Sequence, residues 1–267
     1  MRSISLESVR IASWNVNSIN RRVELLVRWL EDAQPDVLCL QETKCRADDF
    51  PSMPLLAAGY ESHALGLGAW NGVAILSRVG LANVTEGLTD APQWEGVTEA
   101  RALGATCGPL RIWSVYVPNG RTLEHPHYDY KLEWLDALRR TAAAELTSER
   151  EWAVLGDFNI APTDDDVYDR AAYEGSTHVS VPERDALSAI EKVGLTEVMP
   201  RPLKYDRPFT YWDYRQLAFP KNRGMRIDLA LTTPSVRDAV TDAYVDRNAR
   251  KGKGTSDHAP LVIDVDL

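Results

Sequence analysis

The chain has 267 residues, of which 44% are hydrophobic and 26% are charged, a composition that is ordinary for a folded globular protein. Its formal net charge of −9 argues mildly against a nucleic-acid partner, although local clusters of cations still bind phosphate. No apolar run is long enough to span a membrane, and the first ten residues lack the apolar core of a signal peptide. Cys39, Cys45 and Cys107 form no C-x-x-C pair. We therefore expect reduced thiols, no membrane partner and one domain over residues 1–267.

Strands and helices are predicted to alternate along the chain. An apolar run at 9–14, a helical pattern at 22–33 and a second run at 37–40 predict a crossover unit with parallel strands. Further strands are predicted at 60–67, 72–76, 98–103, 110–117, 152–155, 227–231 and 260–265, and helices at 128–146, 164–173 and 182–193. Some connections are as short as hairpins, so we expect a mixed α/β fold.

The stretch at 152–162 organises the rest of the sequence. A short apolar run from Trp152 to Leu155 predicts a buried strand, and the polarity then changes abruptly at Asp157 and Asn159. Polar residues that leave the end of a core strand are typical of functional sites in layered α/β folds. A simple turn remains the alternative for this stretch taken alone, since Gly, Asp and Asn all favour turns.

Polar groups recur at other predicted strand ends. They include carboxylates and amides suited to Mg²⁺, a carboxylate that can accept a proton from water, and a histidine with an acid to orient it. The set comprises Asn15, Asn17, Glu42, Tyr116, Asp157, Asn159, Asp228, Asp257 and His258. His258 precedes the last predicted strand, whereas Glu42, Tyr116 and Asp157 follow theirs. These side chains can therefore meet only if the last strand runs antiparallel to the other strands. Taken singly, each residue is also compatible with a capping or surface role.

Other catalytic motifs fit the sequence poorly. Neither a G-x-S-x-G elbow nor an H-E-x-x-H helix occurs, and the glycine and lysine spacing at 251–256 departs from that of a P-loop.

Six separated motifs resemble one known family. SWNVNS at 13–18, LQETK at 40–44, YVPNG at 116–120, GDFNIAPTD at 156–164, GMRIDLAL at 224–231 and SDHAP at 256–260 occur in the order seen in exodeoxyribonuclease III-type abasic-site (AP) endonucleases. The resemblance implies a deoxyribonuclease I-like, four-layer sandwich of two packed mixed β-sheets flanked by helices. It also implies hydrolysis of DNA phosphodiesters with Mg²⁺, or Mn²⁺ as an alternative. The expected activities are incision 5′ to abasic sites and removal of nucleotides and blocking groups from 3′ ends, leaving a 3′-hydroxyl and a 5′-phosphate.

The resemblance also implies roles for individual residues. Glu42 is expected to be the main metal ligand, with Asn17 and Asp257 near the ion and Asn15 holding the cluster. Asp157 is expected to position or deprotonate the attacking water, and Asn159 to orient the same water or the phosphate. His258, oriented by Asp228, is expected to bind the phosphate or share the proton transfer; the choice of base stays open. Tyr116 and Asn119 are expected to donate to the phosphate, and Lys44 to add positive charge.

An aromatic and basic segment is expected to face DNA. By resemblance, Tyr211 and Trp212 line a pocket for a flipped-out abasic sugar, although core packing of a strand is the alternative. Arg215, Arg223 and Arg226 surround this segment and are predicted to contact the DNA backbone, or else to be solvated surface charges. Trp70, in a turn, is a candidate contact that the sequence leaves open. His125 and His127 are expected to be exposed loop residues.

Two departures and two competing functions qualify this interpretation. Some family members carry Asp where this chain has Asn17, and the segment 164–181 matches the family poorly beyond its first residues.

A phosphatase of lipid headgroups and a non-catalytic DNA-binding protein are the alternative functions. The aromatic and basic segment argues against the first, and the presence of Glu42, Asp157, Asp228 and His258 argues against the second. We expect a monomer that acts on double-stranded DNA with abasic sites or recessed or damaged 3′ ends, in the cytoplasm and associated with the nucleoid.

Overall fold

The computed structural model describes residues 8–148 and 151–267, so residues 1–7 of the predicted domain lie outside the described part. The described strands are β1 (Val9–Asn15), β2 (Val37–Gln41), β3 (Glu61–Leu65), β4 (Val73–Ser77), β5 (Ala82–Glu86), β6 (Ala102–Cys107), β7 (Leu110–Tyr116), β8 (Trp152–Asp157), β9 (Thr196–Glu197), β10 (Asp228–Thr232), β11 (Val240–Val245) and β12 (Leu261–Val265). The α-helices are α1 (Val23–Ala33), α2 (Ser52–Ala57), α3 (Pro126–Glu145), α4 (Val181–Glu191) and α5 (Pro234–Asp238). Short 3₁₀ turns lie between them.

The strands form two six-stranded sheets that pack face to face. Their orders are β11-β12-β1-β2-β4-β3 and β5-β6-β7-β8-β10-β9. One apolar cluster, with Ile11, Ile112 and Leu155, fills the space between the sheets. A second cluster packs α3 and α4 on the outer face of the β7–β8 sheet, and a third packs α1 and α2 on the outer face of the β1–β2 sheet. This architecture confirms the predicted four-layer sandwich.

Strand direction brings the predicted polar groups to one edge of the sandwich. β1 is parallel to β2, and β7 is parallel to β8. β12 is antiparallel to β1, and β10 is antiparallel to β8, with Asp228 opposite Asp157. The end of each parallel strand therefore meets the start of an antiparallel one, which confirms the predicted direction of the last strand.

Close strand approach at this edge requires glycine. A Cβ on Gly156 would lie 1.8 Å from the carbonyl oxygen of Val115 on β7. Any larger residue would push β8 away from β7, one residue before Asp157. The glycine of the GDFN motif therefore fixes where Asp157 leaves the sheet.

Several local predictions differ from the structure. The helix predicted at 164–173 is two 3₁₀ turns, Asp164–Asp166 and Ala171–Tyr173. The strands β5, β9 and β11 and the helices α2 and α5 were not predicted. His127 is buried in the first turn of α3, so its assignment as an exposed loop residue was wrong. His125 lies in the loop before α3, as predicted, but is half-buried and caps the helix by accepting a hydrogen bond from the backbone of His127. Within 8–148 and 151–267, no helix is both long and apolar enough to cross a membrane.

Candidate active site

Glu42, Asp157 and His258 form the centre of the site. One ligand atom from each lies within 4.8 Å of the others. Glu42 follows β2, Asp157 ends β8, and His258 precedes β12, so two different sheets supply the three side chains. They line a cavity of about 210 Å³. Such a cluster of oxygen and nitrogen donors can hold a divalent cation or a phosphate group.

Asn15 links the two carboxylates at this centre. Its Nδ2 donates to Oε1 of Glu42 at 2.8 Å and to Oδ2 of Asp157 at 2.9 Å. Its Oδ1 accepts the backbone N–H of Asn17 at 3.0 Å. Through these contacts Asn15 holds the two carboxylates and the backbone of Asn17 together; its predicted place in a metal site stays a prediction.

His258 is oriented by Asp228. Its Nδ1 lies 2.8 Å from Oδ2 of Asp228, and its Nε2 lies 3.8 Å from Oδ2 of Asp157. Burial opposes a positive charge on the ring, but the carboxylates of Asp228 and Asp157 outweigh it and raise the pKa of His258 to about 10. The imidazole therefore carries a proton at neutral pH and points it toward Asp157 and the cavity.

Asp157 and Glu42 are buried carboxylates with opposite pKa shifts. Burial raises the pKa of Asp157 to about 7, with Asp228 and Glu42 adding to the rise and His258 opposing it. Burial also opposes the charge on Glu42, but Lys44 and Asn15 hold the pKa of Glu42 below its ordinary value. Glu42 is thus the stable anion of the site, and Asp157 is a carboxylate that exchanges a proton near neutrality.

The Lys44 ammonium occupies the position of a cation beside the anionic side chains of the site. Its Nζ lies 2.6 Å from Oε2 of Glu42 and 2.6 Å from Oδ1 of Asn17. Asn17 in turn donates through Nδ2 to Oδ1 of Asp257 at 3.1 Å. Two oxygens from Glu42 and Asn17 therefore already coordinate a positive group, with the carboxylate of Asp257 beside them. This oxygen-rich donor set fits a hard divalent ion.

A second group of polar side chains lies on the opposite wall of the cavity. Asn159 donates to the carbonyl of Val117 at 2.9 Å, and its Oδ1 lies 3.3 Å from Nδ2 of Asn119. Nε2 of His178 is 3.1 Å from the same Oδ1 of Asn159. The sequence did not single out His178, because it lies in the divergent segment 164–181 and has no local motif. The structure adds it to the lining of the cavity.

Tyr116 lies between the carboxylates and a buried arginine. The guanidinium of Arg101 sits 4.7 Å from the centre of the Tyr116 ring. Burial, reinforced by the negative charge of Glu42, holds the pKa of Tyr116 well above its ordinary value. The phenol therefore keeps its proton and can act as a hydrogen-bond donor in the cavity.

A buried ion pair supports the loops that carry the asparagines. Lys131 and Glu183 have fully buried side chains, 2.5 Å apart at their charged atoms. Lys131 also donates to the backbone carbonyls of Asn159 at 2.7 Å and Asn119 at 3.3 Å. Glu183 accepts the backbone N–H of His178 at 2.9 Å. One ion pair thus joins the three loops that form this wall.

Several site residues adopt a left-handed backbone, which is uncommon for residues other than glycine. The φ angles are 44° at Asn17, 52° at Glu42, 51° at Lys44, 50° at Asn159 and 76° at His178. Such conformations cost free energy and persist only where surrounding contacts impose them. Their clustering is typical of a functional site held by its framework.

The predicted DNA-facing residues divide between surface and core. Tyr211 is half-buried and lines the catalytic cavity, with its ring centre 5.0 Å from that of His258. It also lines an adjacent cavity of about 300 Å³ together with Arg215 and Arg223, which are exposed. These three side chains are accessible from the cavities, and their predicted contacts with DNA stay predictions.

Trp212 and Arg226 do not face these cavities. Trp212 is only 1% exposed and packs edge-on against Phe219 in the core between the sheets, so it lines neither the catalytic cavity nor the adjacent cavity beside Tyr211. Arg226 is also 1% exposed and forms ion pairs with Asp166 and Glu197, which leaves its guanidinium unavailable to a phosphate. Both expectations are corrected: these side chains are structural.

The fold and the site together are typical of metal-dependent hydrolases of phosphate esters. The profile of the Endonuclease/Exonuclease/phosphatase family matches residues 12–258, and the chain belongs to this family.

Three relatives resemble the chain over nearly its whole length. The 3′-5′ exonuclease NExo from Neisseria meningitidis is 36% identical with a TM-score of 0.91, covering 97% of this chain and 100% of that chain. NExo from Neisseria has also been solved as a 3′ phosphatase bound to a product DNA hairpin. An AP endonuclease from Archaeoglobus fulgidus is 32% identical with a TM-score of 0.91, covering 97% and 100%. The exodeoxyribonuclease of Bacillus subtilis is 26% identical over 97% of this chain and 100% of its own length.

Proposed function

We propose that the chain is a metal-dependent DNA phosphodiesterase of base-excision repair. It incises DNA 5′ to abasic sites, removes nucleotides and blocking groups from 3′ ends, or does both. The observation that carries the proposal is the buried relay from Asp228 through His258 to Asp157, with Glu42 beside it. The names of the relatives, which include an exonuclease, a 3′ phosphatase and an AP endonuclease, support DNA as the substrate.

Asp157 is proposed as the base that activates water. Its pKa of about 7 makes the carboxylate a good proton acceptor at neutral pH, whereas His258, with a pKa of about 10, already holds its proton. Water attacks phosphorus, Asp157 takes the water proton, and the bond from phosphorus to the 3′ oxygen breaks, with that oxygen taking up a proton from solvent. The products are a 3′-hydroxyl and a 5′-phosphate.

His258 is proposed to bind the scissile phosphate as an imidazolium. Asp228 fixes the ring and stabilises its charge, so Nε2–H meets the oxygens on which negative charge develops. The phenol of Tyr116 and the amide of Asn119 add neutral donors from the same cavity. Asn159, whose backbone N–H donates to Asp157 at 2.9 Å, holds the base in place.

Glu42, Asp257 and Asn17 are proposed to hold the metal ion, which we infer to be Mg²⁺ with Mn²⁺ as an alternative. When bound, the ion acts as a Lewis acid on the phosphate and stabilises the leaving oxygen. Lys44, which now contacts both Glu42 and Asn17, is proposed to move to the phosphate when the ion binds. The neutral amide of Asn17 supplies less charge than a carboxylate would, so we expect weaker metal binding.

Double-stranded DNA is the proposed partner, bound by a single catalytic domain that acts as a monomer. Tyr211 is proposed to contact the abasic sugar, and the exposed Arg215 and Arg223 the backbone next to it. Local cations of this kind let a protein with a net charge of −9 bind phosphates. The proposed location is the cytoplasm, in association with the nucleoid.

A gel assay tests the proposal. Labelled duplexes carrying an abasic-site analogue, a plain blunt end or a 3′-phosphate are incubated with Mg²⁺ or with EDTA. We expect metal-dependent cleavage that Asp157→Asn abolishes, whereas Asp32→Asn, an exposed site on α1, leaves it unchanged. Cleavage 5′ to the lesion identifies the endonuclease, and a ladder from the 3′ end identifies the exonuclease. Absence of cleavage on all three duplexes would refute the proposal and make a phosphatase of lipid headgroups the favoured function.

A further inference from the structure

A groove beside the catalytic cavity has no role in the mechanism above. Its volume is about 480 Å³, within the range of about 300–1,000 Å³ that is typical of ligand sites. Trp70, Trp94 and Arg121 line it, together with the exposed apolar side chains of Leu67 and Val97. We call it the tryptophan groove.

Trp70 is presented to solvent by a fixed turn. Its side chain is 79% exposed. The following two residues are held by backbone hydrogen bonds, from Lys44 to the carbonyl of Asn71 at 2.9 Å and from Gly72 to that of Ala100 at 3.0 Å. A large aromatic ring exposed on an ordered turn is typical of a binding surface, because little further ordering is required when a ligand stacks on it.

Trp94 and Arg121 form a second aromatic and cationic element of the groove. The Trp94 ring packs against His127 and Tyr130, with ring centres 4.7 and 5.6 Å apart. The guanidinium of Arg121 lies 5.4 Å from the centre of the Trp94 ring, and its Nη1 contacts the ring nitrogen of His125 rather than a carboxylate. Arg121 is therefore available to an incoming anion.

Hydrogen bonds join the wall of the groove to the loop that lines the catalytic cavity. Arg101, on the groove wall, donates to the backbone carbonyl of Tyr116 at 3.3 Å. His127, on the same wall, accepts the N–H of Gly120, next to Asn119, at 3.1 Å. The groove therefore neighbours the loop over which a DNA strand would pass in the proposed function.

We propose that the tryptophan groove binds unpaired nucleotides of the strand that is being cut. A base stacks on the exposed ring of Trp70, and Arg121, supported by the Trp94 ring, contacts a phosphate. Both faces of a base inside a duplex are already stacked on neighbouring bases, so rings at this position favour bases that are frayed or single-stranded. The proposal rests on the proposed function and adds to it a preference for 3′ ends with unpaired nucleotides.

A comparison of paired and frayed ends tests the preference. Two labelled duplexes differ only in whether the nucleotides at the 3′ end are paired or mismatched, and kcat/KM is measured for each with Mg²⁺. Wild type should favour the frayed end. W70A should lower the ratio of frayed to paired kcat/KM by about 5- to 150-fold, the fold-change expected from losing one stacked base. M53A, at a 72% exposed side chain on α2, should leave the ratio unchanged.

A binding measurement separates this proposal from the proposed function. An oligonucleotide with 2-aminopurine at the unpaired position is titrated with protein in EDTA, so no cleavage is required. We expect quenching of the 2-aminopurine fluorescence by wild type and M53A, and loss of quenching in W70A. If wild type cuts no DNA, the proposed function fails, while quenching still reports on the groove. Either of two results overturns the groove proposal: an unchanged ratio of frayed to paired kcat/KM in W70A, or no quenching by wild type. The tryptophan groove would then be assigned to contact with a protein or with duplex DNA.

Discussion

Lys131 is the buried cation whose removal should test how the site is held. Lys131→Met keeps the side-chain length but leaves the fully buried carboxylate of Glu183 without its counterion. It also removes the donor to the carbonyls of Asn119 and Asn159. Breaking a buried ion pair from one side costs about 3–5 kcal/mol. At about 2–4 °C per kcal/mol for a chain of this size, the midpoint of thermal unfolding should fall by about 6–20 °C.

Activity should fall along with stability in this variant. The backbone N–H of Asn159 donates to Asp157, and Asn119 is proposed to bind the phosphate, so we expect a lower kcat on duplex DNA even at temperatures where the variant is folded. The double variant K131M/E183L removes the unpaired carboxylate and should recover most of the stability. It should not recover kcat, because the two asparagine carbonyls still lack their donor.

Urea unfolding and steady-state cleavage measure the two effects. A free energy of unfolding within about 1 kcal/mol of wild type for Lys131→Met would show that the pair is not the buried anchor inferred here. A double variant that regains both stability and kcat would show that Lys131 acts only through charge balance, without positioning the two loops.

Three further changes test the charges of the site and its surroundings. Asp228→Asn removes a charge-assisted hydrogen bond to His258 worth about 1.5–3 kcal/mol, so kcat/KM should fall about 10- to 150-fold; a normal rate would refute the relay. Arg226→Met should cost about 3 kcal/mol in urea unfolding and leave duplex affinity in EDTA unchanged, whereas a large loss of affinity would restore its phosphate role. Burial, together with nearby arginines, lowers the pKa of His127 to about 4 from 6.5, so the unfolded chain binds protons first as the pH falls. Stability should therefore drop by up to about 3 kcal/mol between pH 6.5 and pH 4, and His127→Gln should flatten that drop.

The strand-end residues were predictable because two simple patterns coincide. Core strands such as β2 and β8 are buried along their whole length, so their apolar runs stand out, and the first polar residue after each run marks the sheet edge. Parallel pairing then places those ends together. Glu42 and Asp157 were found in this way, whereas His258 was found at the entrance of an antiparallel strand, and ligand atoms of the three lie within 4.8 Å of one another. Their chemical roles stay predictions.

Side-chain burial in the aromatic and basic segment was not predictable from residue type. Arg226 is buried because Asp166, sixty positions away, and Glu197 meet it, and neither partner has a motif. Trp212 packs into the core while its neighbour Tyr211 faces the cavity, as alternation along an extended chain dictates once the register is known. All residues of strand β5 are exposed, so no apolar pattern marked it.

The charge balance of the site explains how an acidic protein can act on DNA. Its four carboxylates face two cationic side chains, an excess of 4 − 2 = 2 negative charges when all are ionised; the carboxylates are those of Glu42, Asp157, Asp228 and Asp257, and the cations are those of Lys44 and His258. The raised pKa of Asp157 is the visible consequence, because one proton relieves part of the excess. A divalent cation would neutralise the rest and let an anionic phosphate approach. Part of the negative charge of the sequence is thus concentrated where a metal ion is proposed to bind, and the cations proposed to bind the DNA backbone lie on the surrounding surface.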